Sequence, residues 1–576
     1  MNAATRLPKI IFTRLPGWRA SALFAILLIG LVGLLGRALY LQGFHTDFLQ
    51  DKGNKRYSRE IEVSAHRGII TDRNGSPLAV STPVKSVWAS PANIKADVNQ
   101  LTRLAQALNM NITEMRRLLA NTSHDYIYLK RQLPPDQAEI VAQLSIPGIL
   151  LQPEYRRYYP TADMTAQLVG FTGQDDNGQE GLELSLQSQL GGKAGSRRVI
   201  KDRRGHIVED VGSLRLPKPG KDVALSVDGK VQYIAYRELQ NAVAQHHAKA
   251  GAVVVLNAQT GEVLALANYP SYNPNNREHI HPLAMRNRAI TDIFEPGSTL
   301  KPFTIAAALE AGKVQANTVI NVQHGVLNIG RKTIHDTHRE SSMTVAQVIQ
   351  KSSNVGAAKI ALMLDRNVLW QSLSSSGFGE ETGSGFPGEE TGVLRDPKTW
   401  RPIEQATMSF GHGISVNLLQ LARAYTIFAN NGELKPISLL KRDNPITGKQ
   451  VFSEHTAQTL RDMLETVVKP GGTAPLAQVS GYRVAGKTGT AHKLEGKKYV
   501  DRYVASFVGF APASAPRIIV AVMIDEPSNG AYYGGIVAAP VFSKVTEAVL
   551  HLLSIPNDAP LNNVIESPKD VVKEEV

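Results

Sequence analysis

Between Ala20 and Gly36 the chain runs for 17 residues without a charge. At ~1.5 Å per residue a helix of that length spans ~25 Å. That is a little short of the ~30 Å hydrocarbon core of a bilayer. Arg37 then interrupts, and Ala38-Leu39-Tyr40-Leu41 resumes the apolar run. An arginine at this depth can carry its charge to the interface while its stem stays in lipid. Residues 20–41 are therefore predicted to span a membrane. Residues 1–19 carry Arg6, Lys9, Arg14 and Arg19 and no acidic side chain. Such a flank keeps the preceding tail in the cytoplasm. A cleaved signal peptide is the alternative. The run is longer than a usual signal core, and no small-x-small cleavage site follows it. Everything beyond residue 41 is expected outside the cytoplasm, on the far side of the inner membrane if the cell is Gram-negative.

At 576 residues the chain is too long for one core, so two or more domains are expected. The net charge of +12 could suit nucleic acid, but the surplus is not gathered into basic runs with interleaved aromatics. The extracytoplasmic placement argues against that partner too. A basic face toward anionic lipid or an acidic wall polymer fits equally well. The chain has no cysteine, which excludes disulfides, cysteine-ligated zinc and a thiol nucleophile.

Residues 42–220 read as an elongated α+β region. Tyr57–Val63 alternates like a strand, Val98–Leu108 and Ile112–Leu119 are helical in pattern, and Arg73-Asn74-Gly75 and Asp176-Asn177-Gly178 are turns. Pro217-Lys218-Pro219-Gly220 is a plausible linker. From residue 221 the texture changes. Ala224–Asp228, Ala252–Leu256, Val263–Ala267, Val504–Phe510 and Ile518–Ile524 read as strands, and the turn at Thr260-Gly261 suggests a hairpin. Val231–Ala244, Leu418–Ala429 and Val541–Leu553 read as helices. The combination predicts an antiparallel sheet with helices on both faces, an α/β sandwich. Residues 556–576 are Pro-, Asn-, Lys- and Glu-rich and predict a disordered tail.

Ser298 and Lys301 stand three apart in FEPGSTLKPF, behind a Pro-Gly turn. A serine hydroxyl needs a base to become a nucleophile. On a helix, residues i and i+3 share a face. The first turn also offers unsatisfied N–H groups and a favourable dipole for developing negative charge. A lysine partly buried beside other cations would lose charge readily and could act as base. The spacing alone is weak, because Ser438 and Lys441 repeat it and an N-cap serine beside a solvated lysine is the blander reading.

Two further motifs follow. Ser352-Ser353-Asn354 lies in KSSNVG, and Lys487-Thr488-Gly489-Thr490 in VAGKTGTA, the single Lys-Thr-Gly of the chain. The order Ser-x-x-Lys, Ser-x-Asn, Lys-Thr-Gly resembles that of penicillin-binding proteins and serine β-lactamases. RGIITDRNGSPLAVS, EYRRYYP, GQEGLE, SYNPNN and YYGGIVAAPVF extend the likeness over nearly the whole chain. It is similar to class B penicillin-binding proteins of the division type (penicillin-binding protein 3, FtsI-like). The resemblance implies a cytoplasmic tail at 1–19, a membrane helix at 20–41, a non-catalytic pedestal at 42–220 and a transpeptidase domain at 221–555.

By that resemblance Ser298 attacks the penultimate D-alanine of a peptidoglycan stem peptide, releasing D-alanine and leaving an acyl-enzyme. Lys301 takes the serine proton. Ser352 relays a proton near Lys487, and Asn354 holds the substrate amide. Lys487, Thr488, Gly489 and Thr490 line the cleft edge, and the N–H groups of Ser298 and Thr490 form an oxyanion hole. Tyr532 and Tyr533 are placed beside the substrate, as are His412 and His492. No cofactor or metal is implied, and His279 and His281 lack a His-Glu-x-x-His frame. The implied partners are nascent glycan derived from lipid II, β-lactams, an FtsW-like polytopic glycosyltransferase and other division proteins at the septum.

Three positions depart from the pattern. Asn257 replaces a strand-end aspartate, His412 a tyrosine, and His492 a lysine or arginine. Neutral drift is one explanation. A sharper reading is a paralogue adapted to acid, in which both histidines gain charge as pH falls. That reading predicts faster β-lactam acylation at low pH. A β-lactamase, a penicillin-binding sensor and an elongation-type transpeptidase are the competing functions. A glycosyltransferase domain is disfavoured, since residues 42–220 show no acidic motif for one.

Overall fold

The computed structural model describes residues 16–44, 46–47, 58–121, 126–201, 207–496 and 498–564. Most of the expected cytoplasmic tail and residues 565–576 lie outside these. The chain divides into two compact units: Met1–Ser64, Ser86–Gln152 and Ala194–Lys218 form one, and Ala65–Lys85, Pro153–Lys193 and Pro219–Val576 the other. The chain crosses between them repeatedly. A linear boundary at residue 220 therefore divides the sequence but not these units.

In the first unit, helix α1 (Gly17–Leu39) has no buried residue, and a π-helical turn, Tyr40–Phe44, continues it. Gly17–Gly43 is long and apolar enough to cross a membrane. Further along this unit, Val98–Ala107 and Ile112–Ala120 are helices capped by Asp97 and Asn111. Their apolar faces close on Leu104, Met115, Leu129 and Val141. Ser58–Val63 pairs antiparallel with Gly195–Lys201, which pairs with Ile207–Arg215.

The second unit opens with a buried ion cluster. Glu183 accepts from Arg67 Nε at 2.7 Å and from Arg157 Nε at 2.6 Å, and neither Arg67 nor Glu183 is exposed. Arg67 also donates to the carbonyl of Asp176 and to Gln187 Oε1. These residues come from RGIITDRNG, EYRRYYP and GQEGLE, so three distant signatures meet at one carboxylate. Removing one partner of a buried pair leaves charge uncompensated. Glu183→Gln should destabilise this unit by about 3–5 kcal/mol, read from denaturant unfolding.

Helix α2 (Gly229–Gln245) begins at Asp228, which accepts from the N–H groups of Lys230 and Val231. Capping explains why the strand expected over Ala224–Asp228 shortens to Val223–Ala224. Strands β1 (Ala250–Asn257) and β2 (Val263–Tyr269) form the expected hairpin. Where the connecting turn opens, Asn257 Oδ1 accepts from the N–H groups of Gln259 and Thr260, an Asx turn that aspartate would make equally well. Then come α3 (Lys301–Glu310), the small hairpin β3 (Val326–Ile329) and β4 (Lys332–His335), α4 (Asn354–Leu362) and α5 (Pro402–Met408). Strands β5 (Ala485–Glu495), β6 (Lys498–Ala511) and β7 (Ile518–Asp525) precede α6 (Ala539–Leu552).

The main sheet is antiparallel in the order β2-β1-β7-β6-β5, so β5 is an edge strand. Every residue of β1 except Asn257 is buried. Both sheet faces are therefore covered, which is why β1 and β7 read as continuous apolar runs rather than alternating ones. Helices α2 and α6 pack together on the sheet. The stretch Gly534–Leu552 is also long and apolar enough to cross a membrane. It is a core helix, with Phe542, Val545, Val549 and Leu550 fully buried. The single helix expected over Leu418–Ala429 is two, Leu418–Ala424 and Thr426–Ala429.

The disordered tail expected from residue 556 is not free at its start. Asp558 accepts from the N–H of Arg483, and Asn563 exchanges hydrogen bonds with the backbone of Gly481 and Tyr482. Polar side chains, which composition counts toward disorder, here satisfy a turn's backbone.

Candidate active site

Ser298 lies in a single 3₁₀ turn, Gly297–Leu300, that runs directly into α3. In a 3₁₀ turn residues three apart eclipse, so Lys301 stands under Ser298. Lys301 Nζ is 2.9 Å from Ser298 Oγ. It is also 3.0 Å from Ser352 Oγ and contacts the Ser352 carbonyl. Lys487 Nζ approaches the same Ser352 hydroxyl at 2.9 Å. Thr488 Oγ1 lies 3.0 Å from Lys487 Nζ and 2.8 Å from Thr473 Oγ1. Both lysines are 0% exposed. The three sequence motifs thus form one connected chain of polar groups.

Ser352 sits at φ +59°, a left-handed conformation that non-glycine residues rarely adopt. The kink places its hydroxyl between the two lysine nitrogens. The three residues that follow are tied down by Asp336, which no sequence motif marks. Its carboxylate accepts from Ser353 Oγ at 2.5 Å, Asn354 N at 2.5 Å and Val355 N at 3.0 Å. An acidic side chain at the N-terminus of α4 satisfies donors that the helix leaves open. No spacing rule links it to a motif 16 residues away, so nothing in the sequence could have marked it. Asp336→Asn should slow acylation by about 10- to 100-fold, as a displacement of roughly 1 Å does. Stopped-flow penicillin acylation measures this.

The Lys-Thr-Gly stretch occupies the edge strand β5, opposite Val508 to Ser506 on β6. Gly489 has no alternative: a Cβ there would lie 2.5 Å from Ser506 Oγ and 2.7 Å from the Pro296 carbonyl. Its bare backbone lets the Ser298 turn approach the strand. Thr490 Oγ1 accepts from the N–H of Gly534 at 3.1 Å. Asn354 Nδ2 reaches the His335 carbonyl only at 3.5 Å, a weak contact that leaves its amide available to another partner.

A wall of rings runs beside the cleft. His412 lies 6.0 Å from Tyr499, His492 lies 4.5 Å from Tyr503, and Tyr503 stacks on Tyr532 at 4.1 Å. The hydroxyls of Tyr532 and Tyr533 are 3.0 Å apart. Tyr499 and Tyr503 were missing from the sequence reading, as was Glu295. Glu295 accepts from Gly413 N at 2.8 Å and from the Tyr499 hydroxyl at 3.1 Å. Burial raises its pKa against those two donors. His492 donates Nδ1–H to the Val500 carbonyl at 3.1 Å. His279 and His281 lie elsewhere, His281 capping a four-residue turn. Among the described residues no cluster of three metal-ligating side chains occurs.

The acid-adapted reading fails at His412. Burial, then Lys301 and His492, depress its pKa from 6.5 to about 4. It stays neutral throughout mildly acidic conditions and supplies no cation at pH 5.5. The sign for stability follows. The unfolded chain protonates this imidazole near pH 6.5, so its contribution is complete above that pH and is lost as pH falls toward about 4. His412→Tyr should flatten unfolding free energy against pH in that window and leave the acylation profile between pH 5.5 and 7.5 unchanged.

A serine and two lysines buried at the edge of an antiparallel sheet define an acyl-transferring enzyme of the penicillin-recognising fold. The description "Penicillin binding protein transpeptidase domain" matches residues 251–547, and "Penicillin-binding Protein dimerisation domain" matches residues 62–225. The chain belongs to the penicillin-binding protein transpeptidase family. It is 44% identical over 548 residues to the probable peptidoglycan D,D-transpeptidase PenA of Neisseria meningitidis, covering 94% of each chain. It is 44% identical over 550 residues to the peptidoglycan D,D-transpeptidase FtsI of Escherichia coli, covering 94% of this chain and 93% of that one. Among solved structures it resembles the transpeptidase domain of Burkholderia pseudomallei penicillin-binding protein 3. The identity there is 48% and the TM-score 0.55, covering 58% of this chain and 98% of that one.

Proposed function

We propose that this protein is a peptidoglycan D,D-transpeptidase that cross-links stem peptides at the division septum through an acyl-enzyme on Ser298. The observation that carries the reading is the convergence of Lys301 and Lys487, both fully buried, on Ser352 Oγ, with Lys301 2.9 Å from Ser298. Two like charges around one hydroxyl in a dry site are costly. That favours one neutral amine, which can take the Ser298 proton. Ser298 Oγ then attacks the carbonyl of the penultimate D-alanine. The C–N bond to the last D-alanine breaks, and its amine receives a proton through Ser352 and Lys487. An amine of a neighbouring stem attacks the ester, forming the cross-link and restoring the serine hydroxyl.

The edge strand β5 suits an extended donor, whose backbone adds to the sheet beside Lys487–Thr490. Thr488 and Thr490 stand near its carboxylate, and the N–H groups of Ser298 and Thr490 take the oxyanion. Asn354, His412, His492, Tyr532 and Tyr533 flank the acyl chain. β-Lactams acylate the same serine. The basic N-terminal flank orients α1 with the tail in the cytoplasm and the catalytic unit in the periplasm. The membrane segment and the dimerisation-type region serve a polytopic glycosyltransferase and other division proteins.

Intact-mass measurement of the full chain with benzylpenicillin, followed by peptide mapping, tests the chemistry. A persistent adduct on Ser298 supports it. An adduct elsewhere, or none, overturns it, and rapid loss of the adduct would indicate a β-lactamase. A fluorescent fusion spread evenly round the envelope would remove the septal role.

A further inference from the structure

A groove of about 770 Å³ leads away from Asn354 and His412, between the β3–β4 hairpin and the start of α5. Its floor is apolar, with Ile334 and Phe410 buried beneath it. Its hairpin wall carries Arg331 and Lys332, both exposed. The hairpin closes through Gly330 and Arg331, and Ile329 pairs with Lys332. Gly330 takes φ +61° and Arg331 does not, the pattern of a two-residue turn with glycine first. That turn puts Arg331 at the tip.

The wall is rigid. Ile334 anchors it in the core, Asp336 N donates to the Gly325 carbonyl at 2.8 Å, and the Asp336 carboxylate is bound to the Ser352–Asn354 segment. Across the groove Arg401 is already clasped to Glu404, which cancels both charges. Among the described residues neither Arg331 nor Lys332 has a carboxylate partner. Cations on a hairpin are ordinarily solvated, but these two line a concave, apolar-floored channel that reaches Asn354 of the Ser-x-Asn motif.

We propose that this groove is the subsite for the carboxylate-bearing part of the donor stem peptide, with Arg331 and Lys332 as its cations; this rests on the transpeptidase reading above. The donor is favoured over the acceptor because the groove continues from Asn354, the side chain assigned to the donor's own amide. An extended peptide held there lays apolar atoms on Ile334 and Phe410 and brings a side carboxylate to the hairpin tip. Arginine suits this role because its fork pairs with a carboxylate through two parallel hydrogen bonds.

The test uses two depsipeptide donors, L-Ala-γ-D-Glu-L-Lys-D-Ala-D-lactate with the glutamate α-carboxylate free or amidated. Release of D-lactate by the full chain reads acylation. The free carboxylate is expected to raise kcat/KM by about 5- to 10-fold over the amide, mainly through KM, as one or two partly exposed ion pairs do. The double variant Arg331→Ala/Lys332→Ala should bring the ratio to about one, and Arg331→Lys should give an intermediate ratio, because an ammonium keeps the charge but loses the fork. Benzylpenicillin, which carries no stem, reports whether Ser298 is intact in each variant. An unchanged ratio in the double variant overturns the subsite. So does a charge effect confined to transfer onto an added acceptor. Failure of penicillin to acylate the wild type would instead overturn the transpeptidase reading itself.

Discussion

Ser298→Ala is expected to abolish covalent penicillin labelling and to lower transpeptidation by about 10⁴- to 10⁶-fold, as removal of a serine nucleophile does. The size follows from what alanine leaves behind. Lys301, Ser352 and Lys487 remain, but no oxygen stands 2.9 Å from Lys301 Nζ to form the ester. Ser298 is nearly buried and caps nothing, so the fold should persist. A thermal unfolding curve close to wild type alongside lost labelling separates chemistry from stability. Labelling of the variant at another serine would overturn the assignment. Ser438 is the instructive control, since Lys441 stands three residues after it. Its hydroxyl donates to the Leu440 carbonyl, while Lys441 Nζ donates to the Arg73 carbonyl. That pair shares a spacing with the site but no contact, and Ser438→Ala should label normally.

Lys301→Met should reduce the second-order acylation rate by about 10²- to 10⁴-fold, the usual worth of a positioned general base. Methionine fills much of the lysine volume without a proton acceptor for Ser298 or a donor for Ser352. Lys301→Arg should not rescue, because a guanidinium stays charged at any working pH and cannot accept the proton. The double variant with Ser298→Ala should be no slower than Ser298→Ala alone, since residues acting as a unit do not add. Rates for a chromogenic β-lactam across the series measure this. A multiplicative loss in the double variant would mean that Lys301 acts on some step other than activation of Ser298.

Much of this was legible in the sequence, for identifiable reasons. The β1–β2 hairpin could be read because a buried antiparallel pair leaves apolar runs broken by one Thr-Gly turn. Helix α2 and the last helix were legible from periodicity. The Asp228 cap misled because the residue ends an apolar run and opens a helix at once. At the site, order along the chain identified the motifs but not their supports. Asp336, Glu295, Thr473 and Tyr499 act by contacts across the fold, and no local pattern encodes those.

The sequence by itself determined that the chain carries an apolar segment able to cross a bilayer, that it lacks thiol chemistry, and that it holds three motifs in one order. These are properties of neighbouring residues, written in composition and spacing. Only the tertiary structure decided which Ser-x-x-Lys is a site, because convergence of Ser298, Lys301, Ser352 and Lys487 depends on a 3₁₀ turn meeting an edge strand nearly 190 residues later. It also decided the charge state of His412. That histidine's own pKa would let it follow mild acid, but burial beside Lys301 holds it neutral to about pH 4.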